Sequence, residues 1–157
     1  MHATELTCTA SWEPLTGTIT NGAVGSWSQN RAGSPPNVSS CSRAPYLLDE
    51  PRRSFVLAAI QKHCEFRGWN LLAAHVRSNH VHVILESKTP PEKILNEFKS
   101  YASRELNHRK LDGPDRKRWA KHGSTRWLWK DETCLQAIKY VVEEQGDPMA
   151  LFVAEEL

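Results

Sequence analysis

The sequence predicts an α+β fold with an antiparallel sheet, and three observations lead there. Apolar periodicity switches between strand and helix spacing to give the order β–α–β–β–α–(basic segment)–β–α. Two strand-like runs, 69–76 and 80–85, are separated by three residues, short enough to make them an antiparallel hairpin. The stretches before and after that hairpin carry helix start or stop signals. A β-α-β-β-α-β core is the ferredoxin-like split βαβ arrangement, expected as an antiparallel sheet with helices on one face.

In chain order, residues 5–11 form a short strand with Leu6 and Cys8 on one face. From Asn21 to Pro45, fifteen of twenty-five residues are Gly, Ser, Asn or Pro, so 21–45 is expected to be a surface loop with little to bury. Asp49 then caps a helix with Pro51 in its first turn, Phe55, Val56, Ala59, Ile60 and Phe66 at helical spacing, and Gly68 as its stop. Trp69–Val76 and His80–Leu85 are the hairpin strands. A second helix follows, with Thr89 and Glu92 as a capping box and Pro90 at its first position. Its apolar arc holds Ile94, Leu95, Phe98, Ala102 and Leu106, with Tyr101 at the margin and Glu105 inside. A basic, turn-rich segment runs from Arg109 to Gly123. Arg126–Lys130 is strand-like, and Asp131 caps a last helix with Leu135, Ile138, Val141 and Val142 inside, stopped by Gly146-Asp147-Pro148.

At 157 residues the chain is read as one domain, residues 1–157, able to bury a core. No apolar run reaches the roughly 18 residues of a membrane span, and the N-terminus lacks the pattern of a secretion signal. Cys8, Cys41, Cys64 and Cys134 form no C-x-x-C pair, which suits free thiols in a cytoplasmic protein. The net charge of +2 is segregated: Lys99–Lys130 carries +7 and the remainder −5. That points to a polyanion site on one face. Arg104, Arg116, Lys117, Arg118, Lys121 and Arg126 are the candidate phosphate contacts, and Trp119, Trp127 and Trp129 the candidate stacking surfaces for unpaired bases.

The chemistry centres on Arg77-Ser78-Asn79-His80-Val81-His82-Val83-Ile84-Leu85. On a strand His80 and His82 point the same way, about 7 Å apart, within reach of one cation. Two histidines and a carboxylate suit a divalent cation with open positions, and the basic surroundings favour a phosphodiester substrate. Tyr101 is the candidate nucleophile, one helical turn from Glu105. A carboxylate inside an apolar arc is costly unless paired, with a metal, or with Arg104 or Arg109.

His80-Val81-His82 in a hydrophobic strand, followed by Phe98-Lys99-Ser100-Tyr101-Ala102-Ser103-Arg104-Glu105-Leu106-Asn107, resembles the HUH-type single-tyrosine transposases, especially their REP-associated branch. The likeness extends through Gly123–Trp129 and Tyr140-Val141-Val142-Glu143-Glu144-Gln145-Gly146, and covers roughly Tyr46 to Phe152. It implies a ferredoxin-like fold and a Mg²⁺- or Mn²⁺-dependent nickase and strand transferase. The substrate implied is single-stranded DNA beside a hairpin, joined to the protein through a phosphotyrosine. It also implies that two histidines and a polar residue one turn after the tyrosine, often an amide, bind the metal. On this alignment those are His80, His82 and Glu105. Relatives occur as monomers or homodimers. The competing expectations are a non-catalytic module that holds hairpin or single-stranded nucleic acid, and a metal-dependent phosphoesterase that uses water.

Overall fold

The structure, a computed structural model, describes residues 3–9, 46–113, 115–121 and 123–155. The expected 21–45 loop lies outside these residues. In order the elements are β1 (Ala3–Thr9), α1 (Glu50–Arg67), β2 (Asn70–Val76), β3 (His80–Glu86), α2 (Pro91–His108), β4 (Ser124–Leu128), α3 (Asp131–Glu143) and β5 (Ala150–Val153). The strands form one sheet in the order β4-β1-β3-β2-β5, and every pairing is antiparallel. The first four strands with α1 and α2 make the ferredoxin-like split βαβ core.

Each helix has identifiable ends. Asp49 accepts the backbone N–H of Arg52 at 3.1 Å, and Gly68 closes α1 in the left-handed region at φ 66°. That conformation is one glycine adopts without a steric penalty. The expected capping box on α2 does not form. The N-cap is Pro90 with no side-chain bond, so Glu92 falls one position short of N3 and instead accepts from Thr125 Oγ1 at 3.2 Å. Likewise α3 begins after Lys130, with Asp131 in its first turn and not at the cap.

Alternation along β3 divides the interior in two. Val81, Val83 and Leu85 enter a core with Val56, Ile60, Phe98, Ala102 and Leu106 of α1 and α2. Ile84 enters a second core with Ala137, Ile138 and Val141 of α3. Each such Leu, Ile or Val contributes about 1.5–3 kcal/mol by burial. The expectation of helices on one face therefore holds for α1 and α2, while α3 is added on the opposite face. Leu135, expected inside, is exposed on α3, and Phe66 is exposed on α1.

A β-bulge decides what β2 presents to each face. Asn70 and Leu71 pair with Glu86 and Leu85, but from Ala73 onward the register slips by one, leaving Leu72 as the extra residue. A one-residue slip moves every later side chain to the other face. Ala73 and His75 consequently face α3, opposite Ile84 and His82, and Ala74 and Val76 face α1 and α2.

Candidate active site

His80 and His82 project from β3 on the face covered by α3. Their rings lie 4.9 Å apart, centroid to centroid. The ring of Tyr140, from the last turn of α3, stands T-shaped to that of His82 with centroids 6.0 Å apart. Gln145, just beyond α3, places its Oε1 at 3.3 Å from His80 Nε2, and its side chain also hydrogen-bonds His82. His80 Nδ1 is 2.7 Å from Asn79 Oδ1. With Nδ1–H donating to Asn79, His80 Nε2 is left as a lone pair facing Gln145 Oε1.

These side chains suit a small divalent cation. Neighbouring corners of an octahedron with bonds of about 2.1 Å lie about 3 Å apart, close to the separation of His80 Nε2 and Gln145 Oε1. Burial first, and then the charge of His80, lower the His82 pKa to about 4 against an opposing bond from Gln145. His82 is thus the neutral ligand form at physiological pH. Asn79 is the kind of outer partner that fixes a ligating imidazole's tautomer. Among the described residues no group of three His, Cys, Asp or Glu side chains gathers into a metal site. The third donor beside the two imidazoles is the amide oxygen of Gln145.

The structure does not bring two of the expected residues to the histidines. Tyr101 and Glu105 lie on α2, which packs on the Val81/Val83/Leu85 face, so the sheet separates them from both histidines. The Tyr101 ring stacks on His63 with centroids 3.9 Å apart, and the Arg104 guanidinium sits 5.4 Å from it. Glu105 is partly exposed and pairs with Arg109 at 2.8 Å, the salt bridge that was the alternative. The residues that the structure places beside the histidines instead are Tyr140 and Gln145. Their signal was the tyrosine followed by an amide in the 140–146 run, on the helix just before a Gly-Asp-Pro stop.

The candidate DNA contacts also sort by burial. Arg118 is buried; its Nε donates to Asp112 at 2.9 Å and its Nη2 to Asn107 at 2.8 Å. Trp119 is half-buried against the α1/α2 core, its Nε1 donating to Ser103 at 2.8 Å. Both side chains are thus engaged in hydrogen bonds within the protein. Arg116 lies 5.3 Å from the Tyr46 ring. Arg104, Lys117, Lys121 and Arg126 are exposed, with Arg126 3.6 Å from Glu5. Trp127 and Trp129 form an exposed stacked pair, 5.6 Å between centroids, at the C-terminal end of edge strand β4 and just beyond it.

Among the described residues no helix is long and apolar enough to cross a membrane. No curated protein matches the sequence. The fold is similar to that of a REP-associated tyrosine transposase bound to a REP hairpin, with a TM-score of 0.54 and 13% identity over 91% of this chain. The chain spans 66% of that structure's length. Residues 38–144 match the family described as "Transposase IS200 like", more than half of the 157; with a histidine pair, a tyrosine and an amide converging on one face of its sheet, the chain belongs to the IS200-like transposase family.

Proposed function

We propose that this chain cuts and rejoins single-stranded DNA beside a hairpin, with Tyr140 as nucleophile and His80, His82 and Gln145 holding a divalent cation, Mg²⁺ or Mn²⁺. The observation that carries this reading is the edge contact of Tyr140 with His82, on the face where Gln145 reaches His80. When bound, the cation would polarise the scissile phosphate and neutralise charge in the transition state.

The remaining steps belong to the chain. Tyr140 is 43% exposed, so water can take up its phenolic proton as the oxygen attacks. The phenolic oxygen attacks phosphorus; the Tyr140 O–P bond forms as the bond from phosphorus to the 3′ oxygen breaks. That oxygen takes up a proton and leaves as a free 3′-hydroxyl, with the 5′-phosphate on the tyrosine. Attack by a 3′-hydroxyl reverses the step, so no bond energy is lost and no co-reactant is required. Lys117, Lys121 and Arg126 supply exposed positive charge for the strand, and Trp127 with Trp129 a surface on which unpaired bases stack.

The test is a labelled single-stranded oligonucleotide carrying a hairpin, incubated with Mn²⁺ and run on a denaturing gel. Wild type is expected to retain label covalently, and Tyr140→Phe to lose the adduct while still binding. Hairpin binding with no adduct from wild type would instead favour the non-catalytic binding module.

A further inference from the structure

We propose that His75 is a positioning residue that staples both ends of the segment carrying Gln145, and so aims Tyr140 and Gln145 at the histidine pair. The inference rests on the reading of those residues as the reacting group. His75 has no exposure to solvent. The β-bulge at Leu72 turns it from the α1/α2 face to the α3 face, directly opposite His82. There it makes two hydrogen bonds: one from Nδ1 to the Val141 carbonyl at 2.8 Å, the other from the Met149 N–H to Nε2 at 3.2 Å. A carbonyl only accepts and a backbone N–H only donates, so one neutral tautomer satisfies both, with the proton on Nδ1.

The two partners bracket the functional segment. Val141 follows Tyr140 in the chain, and its carbonyl is among the last four of α3, which lack a full set of helical donors. Met149 immediately precedes β5. Between them the chain turns at Gly146, φ 75°, and carries Gln145. Arg77 Nη1 donates to the Asp147 carbonyl at 3.2 Å, outside the same turn. A single imidazole therefore fixes the exit of α3 and the entry to β5 relative to β2, whose neighbour β3 bears His82. An apolar side chain would fill this dry position without needing partners. Histidine supplies what an apolar residue cannot, a donor and an acceptor aimed in opposite directions.

Substitutions can separate the two bonds. Asparagine places an amide N–H near the Nδ1 position and keeps the bond to Val141. Glutamine places a carbonyl near the Nε2 position and keeps the bond from Met149. Phenylalanine fills the space and keeps neither. Wild type, His75→Phe, His75→Asn and His75→Gln are compared by amide hydrogen exchange across residues 141–149, by Mn²⁺ affinity from electron paramagnetic resonance, and by single-turnover adduct formation. For His75→Phe we expect exchange at 144–149 to accelerate by about tenfold or more and Mn²⁺ to bind more weakly. Adduct formation should slow by about 100-fold, as a misplacement of about 1 Å at a reacting group can produce. Hairpin affinity should stay within about threefold, because phosphate contacts dominate it. His75→Asn should recover most of the rate, since the Val141 bond lies beside Tyr140. Exchange and adduct formation within about twofold of wild type in His75→Phe would overturn the proposal. If that variant does not fold, unchanged exchange and rate in both His75→Asn and His75→Gln would overturn it equally. Should wild type form no adduct at all, the reading of the site fails; faster exchange and weaker Mn²⁺ binding in His75→Phe would still uphold the staple.

Discussion

Replacing Asp112 by alanine should remove about 3–5 kcal/mol of stability without touching the histidine face. Asp112 accepts from Tyr46 OH at 2.6 Å, Arg118 Nε at 2.9 Å and Arg52 Nη2 at 3.0 Å. The Arg118 and Asp112 side chains are 3% and 9% exposed, so solvent screens the pair little. Removing the carboxylate strands a buried guanidinium, a change that costs about 3–5 kcal/mol. Arg52 also donates to the Leu111 carbonyl and pairs with Asp49, so it keeps partners and adds less. Against a typical total of about 5–15 kcal/mol the loss is large, and at this chain length it should lower Tm by about 6–20 °C. The pH dependence has a definite sign. Burial alone would raise the Asp112 pKa, but hydrogen bonds from Tyr46, Arg118 and Arg52 hold it below the usual carboxylate value. The stabilisation is present above the unfolded pKa of about 3.9 and is lost as pH falls through the lower folded value. Urea denaturation of wild type and Asp112→Ala from pH 7 to pH 3 measures both. A loss under about 1 kcal/mol at pH 7, or one that grows as the acid carboxylates protonate, would refute the reasoning.

Other consequences are independent of that network. His82, held to about 4 by burial, binds fewer protons when folded than when unfolded between pH 4 and about 6.5; wild-type stability should fall by about 3 kcal/mol across that window as pH drops. His82→Gln should flatten this slope in denaturation curves, and an unaltered slope would assign it to another group. Neutralising Lys117 and Lys121 together should weaken hairpin binding and reduce the log–log salt slope by about 0.7 per lost phosphate contact; Lys117→Ala alone should change stability by no more than about 0.5 kcal/mol. Trp127→Ala with Trp129→Ala should weaken binding to single-stranded DNA by about 1–3 kcal/mol per stacked base, measured by fluorescence anisotropy, with no change expected on fully duplex DNA. Glu105→Gln should leave Mn²⁺ affinity and adduct formation unchanged, because Glu105 pairs with Arg109 away from the histidines.

What was readable in the chain was local. Asp49 and Gly68 bracket α1 as their chemistry requires, and the alternation of Val81, Val83 and Leu85 against His80 and His82 is plain. Periodicity states which residues share a face of one element, but not which other element covers that face. That is why Tyr101, on a well-patterned helix, was drawn to a histidine pair on the far side of the sheet. The bulge at Leu72 left no mark in a uniformly apolar run, yet it alone sends His75 toward α3. Thr89 and Glu92 have capping-box spacing, but α2 starts one residue later and Thr89's N–H bonds Ser87 Oγ at 2.9 Å. The basic segment was identified by its charge, whereas the burial of Arg118 depends on Asp112 and Asn107, six and eleven residues away. The short strand β5 was passed over, although the apolar run Met149–Val153 after Gly146-Asp147-Pro148 announces it.

The central claim is that the reacting tyrosine is on α3, facing His82, and not on α2. The direct measurement is mass spectrometry of the covalent adduct. Wild-type protein is incubated with a hairpin-bearing single strand and Mn²⁺, trimmed with nuclease, digested with trypsin and sequenced by fragmentation. The account predicts a nucleotide attached through phosphate to Tyr140, in the tryptic peptide that begins after Lys139. A nucleotide on Tyr101 would contradict it, because the sheet would then stand between the nucleophile and the histidines proposed to act with it.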